Sequence, residues 1–289
     1  MNWFLIALSC AFLTACCDAV SKRIMQRYDE WATGTVLLGL GCVSMVPMVP
    51  WMTLQSPSAE LGALMLVLIP LETWGYYLFL SSIRMAPLSL TIPLLAFTPL
   101  FTIISGRLIL GESVSQHGAA GILLITCGAY LLNADLVNQG LFAPLKAIFS
   151  HAGSRRMMWV AVIWSFTTAL GKLGATMYGP IQFGFLILAG VTVAFGAVCH
   201  ARARKTGSHT TFRPDSWGLL ALGGLLVGLV HVTHFVSLTM INVSYMISIK
   251  RLSLIFGVCL GYLMFGEQNI KYRLVGASVM VAGVFFLYN

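Results

Sequence analysis

Lys250 and Arg251 are adjacent cations inside Val243–Phe265, a stretch that carries no other charge and is long enough to cross a bilayer. Ionised groups at that depth are costly, and they characteristically face a bundle interior or a water-filled cavity. Arg offers a planar fork matched to carboxylate or phosphate, and Lys a movable point charge. The pair therefore predicts a grip on the oxyanion of a small solute, or else an ion pair with a carboxylate elsewhere in the bundle. On a helix, Ser244, Ser248 and Arg251 fall at i, i+4 and i+7 and share a face. Lys250 is turned about 100° from Arg251, so the cations flank a hydroxyl stripe, with Tyr245 on the same span. Lys22 and Lys172, near the ends of two other spans, are the further cations expected at this cavity.

Carboxylates are scarce. Glu72 stands in mid-span with Tyr76 and Phe79 on its face. It could neutralise a solute cation, pair with a lysine, or bind and release a proton during transport. Asp18 precedes Lys22 by four residues, a spacing that allows pairing on one helix face and predicts a self-neutralised gate. His231 and His234 roughly share a face; two histidines fall short of a zinc site, which takes three or four protein ligands, and no metal is expected. There is no Gly-rich Lys-Ser/Thr phosphate loop and no Ser/His/Asp arrangement, so neither an enzyme nor a cofactor is expected. Glu112 and Glu267 each follow a glycine at the start of a short span, where a carboxylate favours the helix dipole.

The elements that must position these residues follow from composition. The 289 residues are 58% hydrophobic and 9% charged, where soluble domains carry roughly 25% charged residues. Ten apolar stretches suited to a hydrocarbon core of about 30 Å are expected: Trp3–Val20, Thr33–Met52, Leu61–Ile83, Pro87–Gly106, Gln116–Asn133, Met157–Gly174, Ile181–Val198, Trp217–Leu238, Val243–Phe265 and Leu274–Tyr288. The fold class is all-α, a polytopic membrane protein. The first span lacks a basic leader and a small-residue cleavage site and reads as retained. All seven cysteines lie in spans and read as free thiols. The net charge of +8 is scattered over short loops, which fits membrane lipids and topology signals and offers no face for nucleic acid.

The chain repeats itself at a spacing near 155 residues. Met85-Ala86-Pro87-Leu88-Ser89 matches Met240-Ile241-Asn242-Val243-Ser244, and Gly111-Glu112 matches Gly266-Glu267. Gly121 and Gly128 match Gly276 and Gly283, while Ser21-Lys22 matches Gly171-Lys172 at an offset of 150. At the 155-residue spacing His231 matches Tyr76, which places both on the cavity wall. Five spans per half force the second half to insert inverted, an architecture common among secondary transporters. The expected units are residues 1–133, a linker over 134–156, and 157–289. Leu141, Phe142, Leu145, Ile148 and Phe149 give the linker the spacing of an interfacial amphipathic helix. Gly121, Gly128, Gly276 and Gly283 predict close helix approach, either between the halves or across a homodimer.

The pattern resembles the drug/metabolite transporter superfamily, in particular its ten-span EamA-like members. The resemblance rests on Pro87-Leu88-Ser89-Leu90-Thr91-Ile92-Pro93-Leu94-Leu95-Ala96-Phe97-Thr98-Pro99, the two Gly-Glu turns before Gly-rich spans, and Ile249-Lys250-Arg251. It implies a carrier without enzymatic activity. The Lys-Arg pair is similar to the phosphate-grasping pair of plastid sugar-phosphate translocators, which implies phosphate at Lys250 and Arg251. The resemblance also implies cytoplasmic termini. Loop charges point the other way: 12 Lys and Arg residues follow odd-numbered spans and 1 follows an even-numbered span, which puts the termini outside by the positive-inside rule. The expected function is a secondary transporter of a small anionic, phosphorylated metabolite in the inner (plasma) membrane. Exporters of amino acids or other neutral and cationic metabolites, and flippases for a phosphate-bearing lipid, are the alternatives.

Overall fold

In lipid a backbone is satisfied either within helices or in a closed barrel, and apolar runs of about 20 residues suit helices. The structure, a computed structural model, describes residues 2–52, 56, 58–85, 91, 94–132, 146, 150–207, 212–265 and 270–288, with side chains placed except at 214, 261–265, 270–274 and 288. Eleven α-helices are described: α1 (Trp3–Met25), α2 (Glu30–Met45), α3 (Ala59–Met85), α4 (Thr98–Leu110), α5 (Gln116–Leu132), α6 (Ala152–Tyr178), α7 (Pro180–Thr206), α8 (Trp217–Met240), α9 (Val243–Lys250), α10 (Ser253–Phe265) and α11 (Ile270–Tyr288). Among the described residues, seven stretches are long and apolar enough to cross a membrane, and three shorter apolar helices accompany them. The amphipathic segment read from Leu141–Phe149, and Glu267, lie outside the described residues.

Helix starts follow local chemistry. Asn2 Oδ1 accepts from Phe4 N–H, and Asp29 Oδ1 accepts from Trp31 and Ala32 N–H, satisfying donors that lack partners in a first turn. Several helices run past the apolar stretches read from sequence, because polar and basic residues continue them: α6 begins at Ala152 and α7 ends at Thr206. One end of the bundle gathers the basic ends. There Arg27 pairs with Asp215, Arg84 with Glu30, and the Arg202 guanidinium stacks over Trp31.

The two halves interlock. Helix α1 packs on α8 as α6 packs on α3, α1 contacts α9 and α10 as α6 contacts α4, and α2 meets α7. Each pairing has its counterpart under the repeat offset. The tightest contact joins α5 and α11. A Cβ on Gly121 would sit 2.8 Å from the Gly283 carbonyl oxygen, and one on Gly128 would sit 2.6 Å from Met280 N and 2.7 Å from Gly276 O. These glycines bring two backbones together within one chain, where the sequence left a homodimer contact equally open.

That contact yields a stability test. Gly128→Val forces a branched side chain into backbone atoms and is expected to lower stability by about 1–3 kcal/mol or more. Gly257→Ala, whose added Cβ would meet nothing within 4 Å, is expected to be neutral or to stabilise by up to about 1 kcal/mol. Melting curves of the purified variants in detergent check both; equal melting temperatures would show that backbone contact is not what joins the halves there.

Candidate functional site

A cavity of about 220 Å³ lies between the halves. Its volume falls below the roughly 300–1,000 Å³ of drug-sized sites. Its wall holds Asp18, Glu72, Tyr76, His231, Lys250 and Arg251, together with Thr98, Trp164, Thr168 and His234. Apolar side chains from α2, α3, α7 and α8, among them Leu38, Phe79, Leu188 and Phe235, complete it.

The stretch expected as a single ninth span is broken at its cations. Helix α9 ends at Lys250, residues 251–252 form a turn, and α10 starts at Ser253. Bonds of the i→i+3 kind carry the chain through it: Leu252 N–H to Ile249 O at 2.9 Å, Leu254 N–H to Arg251 O at 3.0 Å, and Ile255 N–H to Leu252 O at 2.9 Å. Tightened turns of this kind recur at functional hinges. At 1.5 Å per residue, Arg251 lies about 12 Å along the axis from Val243, near the middle of a bilayer core of about 30 Å. The first half bends at the corresponding place, since a turn at 96–97 precedes α4 at Thr98, and 98 + 155 = 253.

Arg251 is 8% exposed, and its Nε has no hydrogen-bond partner among the described residues. Lys250 Nζ lies 3.4 Å from His234 Nδ1, while His231 Nδ1 is 2.9 Å from the Val227 carbonyl. The charged neighbours of Asp18 are Lys250 and Arg251, and that of Glu72 is Lys250. Ion pairs within 4 Å among the described residues are Arg27–Asp215, Arg84–Glu30 and Lys172–Glu112, so none joins the four cavity charges directly. Two acids thus face two bases across open space. Such a cavity can take an oxyanion against the bases, an ammonium group against the acids, or both.

The structure brings six of the residues singled out from sequence to this wall and leaves four away from it. Lys172 Nζ contacts Glu112 Oε1 and the Ile241 carbonyl, each at 2.5 Å. The Tyr245 hydroxyl lies 3.2 Å from both Ser115 N–H and Ser115 Oγ, against α5. Ser248 is buried and donates to the Ser244 carbonyl, so the hydroxyl stripe turns from the cavity and Ile247, Lys250 and Leu254 face it instead. Lys22 is exposed, and the charged neighbours of Asp18 are the ninth-span cations. Glu112 serves a helix of the other half, not its own. His234, Trp164 and Thr168 were missed as wall residues; i+3 spacing from His231 was the available signal for His234. No group of three or more His, Cys, Asp or Glu residues that could hold a metal is present among the described residues.

A model of the EamA-like transporter family matches residues 1–134 and again residues 156–289. A curated relative, described as an uncharacterized transporter of Methanothermobacter thermautotrophicus, is 25% identical over 191 residues, covering 65% of this chain and 53% of the relative. The chain thus spans about half the length of that relative. A solved crystal structure shares the fold with a TM-score of 0.77 at 15% identity, covering 99% of this chain and 96% of the other.

Because Asp18 and Arg251 sense one another without touching, Asp18→Asn and Arg251→Gln are each expected to lower the melting temperature in detergent. The double variant is expected to lose less than the sum, with a coupling of about 1 kcal/mol. Strictly additive losses would show that the two charges are independent.

Proposed function

This chain belongs to the EamA-like transporter family, and we propose that it carries a small solute with a phosphate or carboxylate group across the inner (plasma) membrane by alternating access through the central cavity. The observation that supports this reading best is Arg251: a buried residue whose Nε has no hydrogen-bond partner among the described residues, set beside Lys250 on the wall of a cavity. A buried guanidinium donor left unfilled among the described residues is suited to an oxyanion.

Lys250 and Arg251 hold the acidic group, while Tyr76 and His231 shape the wall. Lys172 and Tyr245 bind other protein groups, and Lys22 and Ser248 stand off the wall, so on this reading none of the four touches the solute. Charge balance adds a role for the acids. The cavity holds two formal positive and two formal negative charges, so an entering monoanion leaves an excess negative charge unless a cation accompanies it. Glu72, or Asp18, taking up a proton with the anion would restore neutrality, which makes these carboxylates the coupling and gating groups. The same two acids favour a second reading, a zwitterionic or amine solute whose ammonium they balance.

The test is ligand-dependent stabilisation and uptake by the purified protein. Phosphorylated three-carbon acids and inorganic phosphate are expected to raise its melting temperature, as any native-state ligand does at concentrations above its Kd. Lys250→Gln with Arg251→Gln is expected to remove that shift and to cut uptake into proteoliposomes by at least about tenfold. Stabilisation by amines or amino acids alone selects the zwitterion reading, and uptake unchanged in the double variant rejects the clamp.

A further inference from the structure

We propose that the Lys172–Glu112 ion pair is a latch that closes one end of the cavity and has to open in each transport cycle. Both are then positioning residues for transport rather than contacts of the solute; this rests on reading the central cavity as the transport site. The pair is partly buried, with side chains 13% and 18% exposed, and both side-chain bonds of Glu112 cross between the halves. Its Oε1 meets Lys172 of α6, and its Oε2 accepts from Val243 N–H at 2.8 Å. That N–H belongs to the first turn of α9, which lacks an intrahelical acceptor and favours a negative charge. Lys172 in turn contacts the Ile241 carbonyl at the end of the α8 segment.

Neighbouring bonds tie the same two loops. Asn242 Nδ2 donates to the Ser113 carbonyl at 3.2 Å, and the Tyr245 hydroxyl meets Ser115. The α4–α5 connection of one half is thereby fastened to the start of the broken span of the other half, the span that carries Lys250 and Arg251 toward the cavity. Lys172 lies four residues after the wall residue Thr168, on the same face of α6, so the latch stands one turn beyond the cavity.

The repeat supplies a second observation. Lys22 corresponds to Lys172 and lies four residues after Asp18, the counterpart of Thr168, also on the wall. Yet Lys22 is exposed at the basic end of the bundle, while Lys172 is partly buried at the other. Halves of matching sequence hold their corresponding lysines in different surroundings, as alternating access by inverted repeats requires.

Cys17 lines the cavity and reports its exposure without any knowledge of the solute. In protein with the other six cysteines replaced by Ala, a membrane-impermeant maleimide is applied from each face of the membrane in turn. Glu112→Gln, which keeps an oxygen for Val243 N–H, and Lys172→Met are each expected to raise the Cys17 labelling rate about tenfold from the face that carries Gly179 and Asn242. Lys172→Arg, which keeps the charge, is expected to label as the parent does. Unchanged labelling from that face overturns the latch, as does a rise that is equal on both faces and tracks a fall in melting temperature. Neither result depends on which solute is carried, so this failure is separable from failure of the anion clamp.

Discussion

An arginine side chain held at mid-membrane depth without a bonded counter-ion among the described residues is the constraint on which this structure depends. A charge there is tolerated only beside water or an opposite charge, and the fold provides both: a cavity, and Asp18 across it. The break between α9 and α10 contributes as well. Its bonds from Leu254 N–H to the Arg251 carbonyl and from Ile255 N–H to the Leu252 carbonyl fix the turn that presents both cations to the wall. The same wall of the cavity therefore holds two adjacent side-chain cations.

The two halves share the break but not the charge. The turns at 96–97 and 251–252 correspond under the repeat, while Leu95 and Ala96 stand where the second half has Lys250 and Arg251. The acids come from the other side, since Asp18 and Glu72 belong to the first half. Opposite charges thus lie on opposite halves, and relative motion of the halves changes the distance between them. Cavity electrostatics and conformation are coupled by this placement alone, whichever solute fills the site.

Membrane spans, the repeat and the wall positions of Lys250, Arg251, Glu72 and Tyr76 were legible because long apolar runs and buried charges leave few alternatives in lipid. The break was not, because neither Arg251 nor Leu252 is a helix breaker and the turn is closed by ordinary i→i+3 bonds. Periodicity grouped Ser244, Ser248 and Arg251 on one face, yet only Arg251 reaches the cavity wall, because the turn at 251–252 interrupts the helix. Glu112 was assigned to its own helix from adjacency. Gly111 at φ 67° turns the chain there, and the carboxylate reaches a residue 131 positions away in sequence. Such partners follow from packing between halves, which no local pattern encodes.

Two kinds of contact hold the halves together, and they differ in what it costs to separate them. Between α5 and α11, Gly121, Gly128, Gly276 and Gly283 set backbone against backbone, and parting them would forfeit close dispersion contacts that bulkier lipid chains could not refill at the same distance. At the latch, Lys172, Glu112, Asn242 and Tyr245 make polar bonds at a bundle end, where water can replace each one at small net cost. The glycine seam is therefore suited to act as a pivot and the polar cluster to act as a closure. A cavity placed between them, with cations from one half and carboxylates from the other, lies where rotation about the seam displaces its walls.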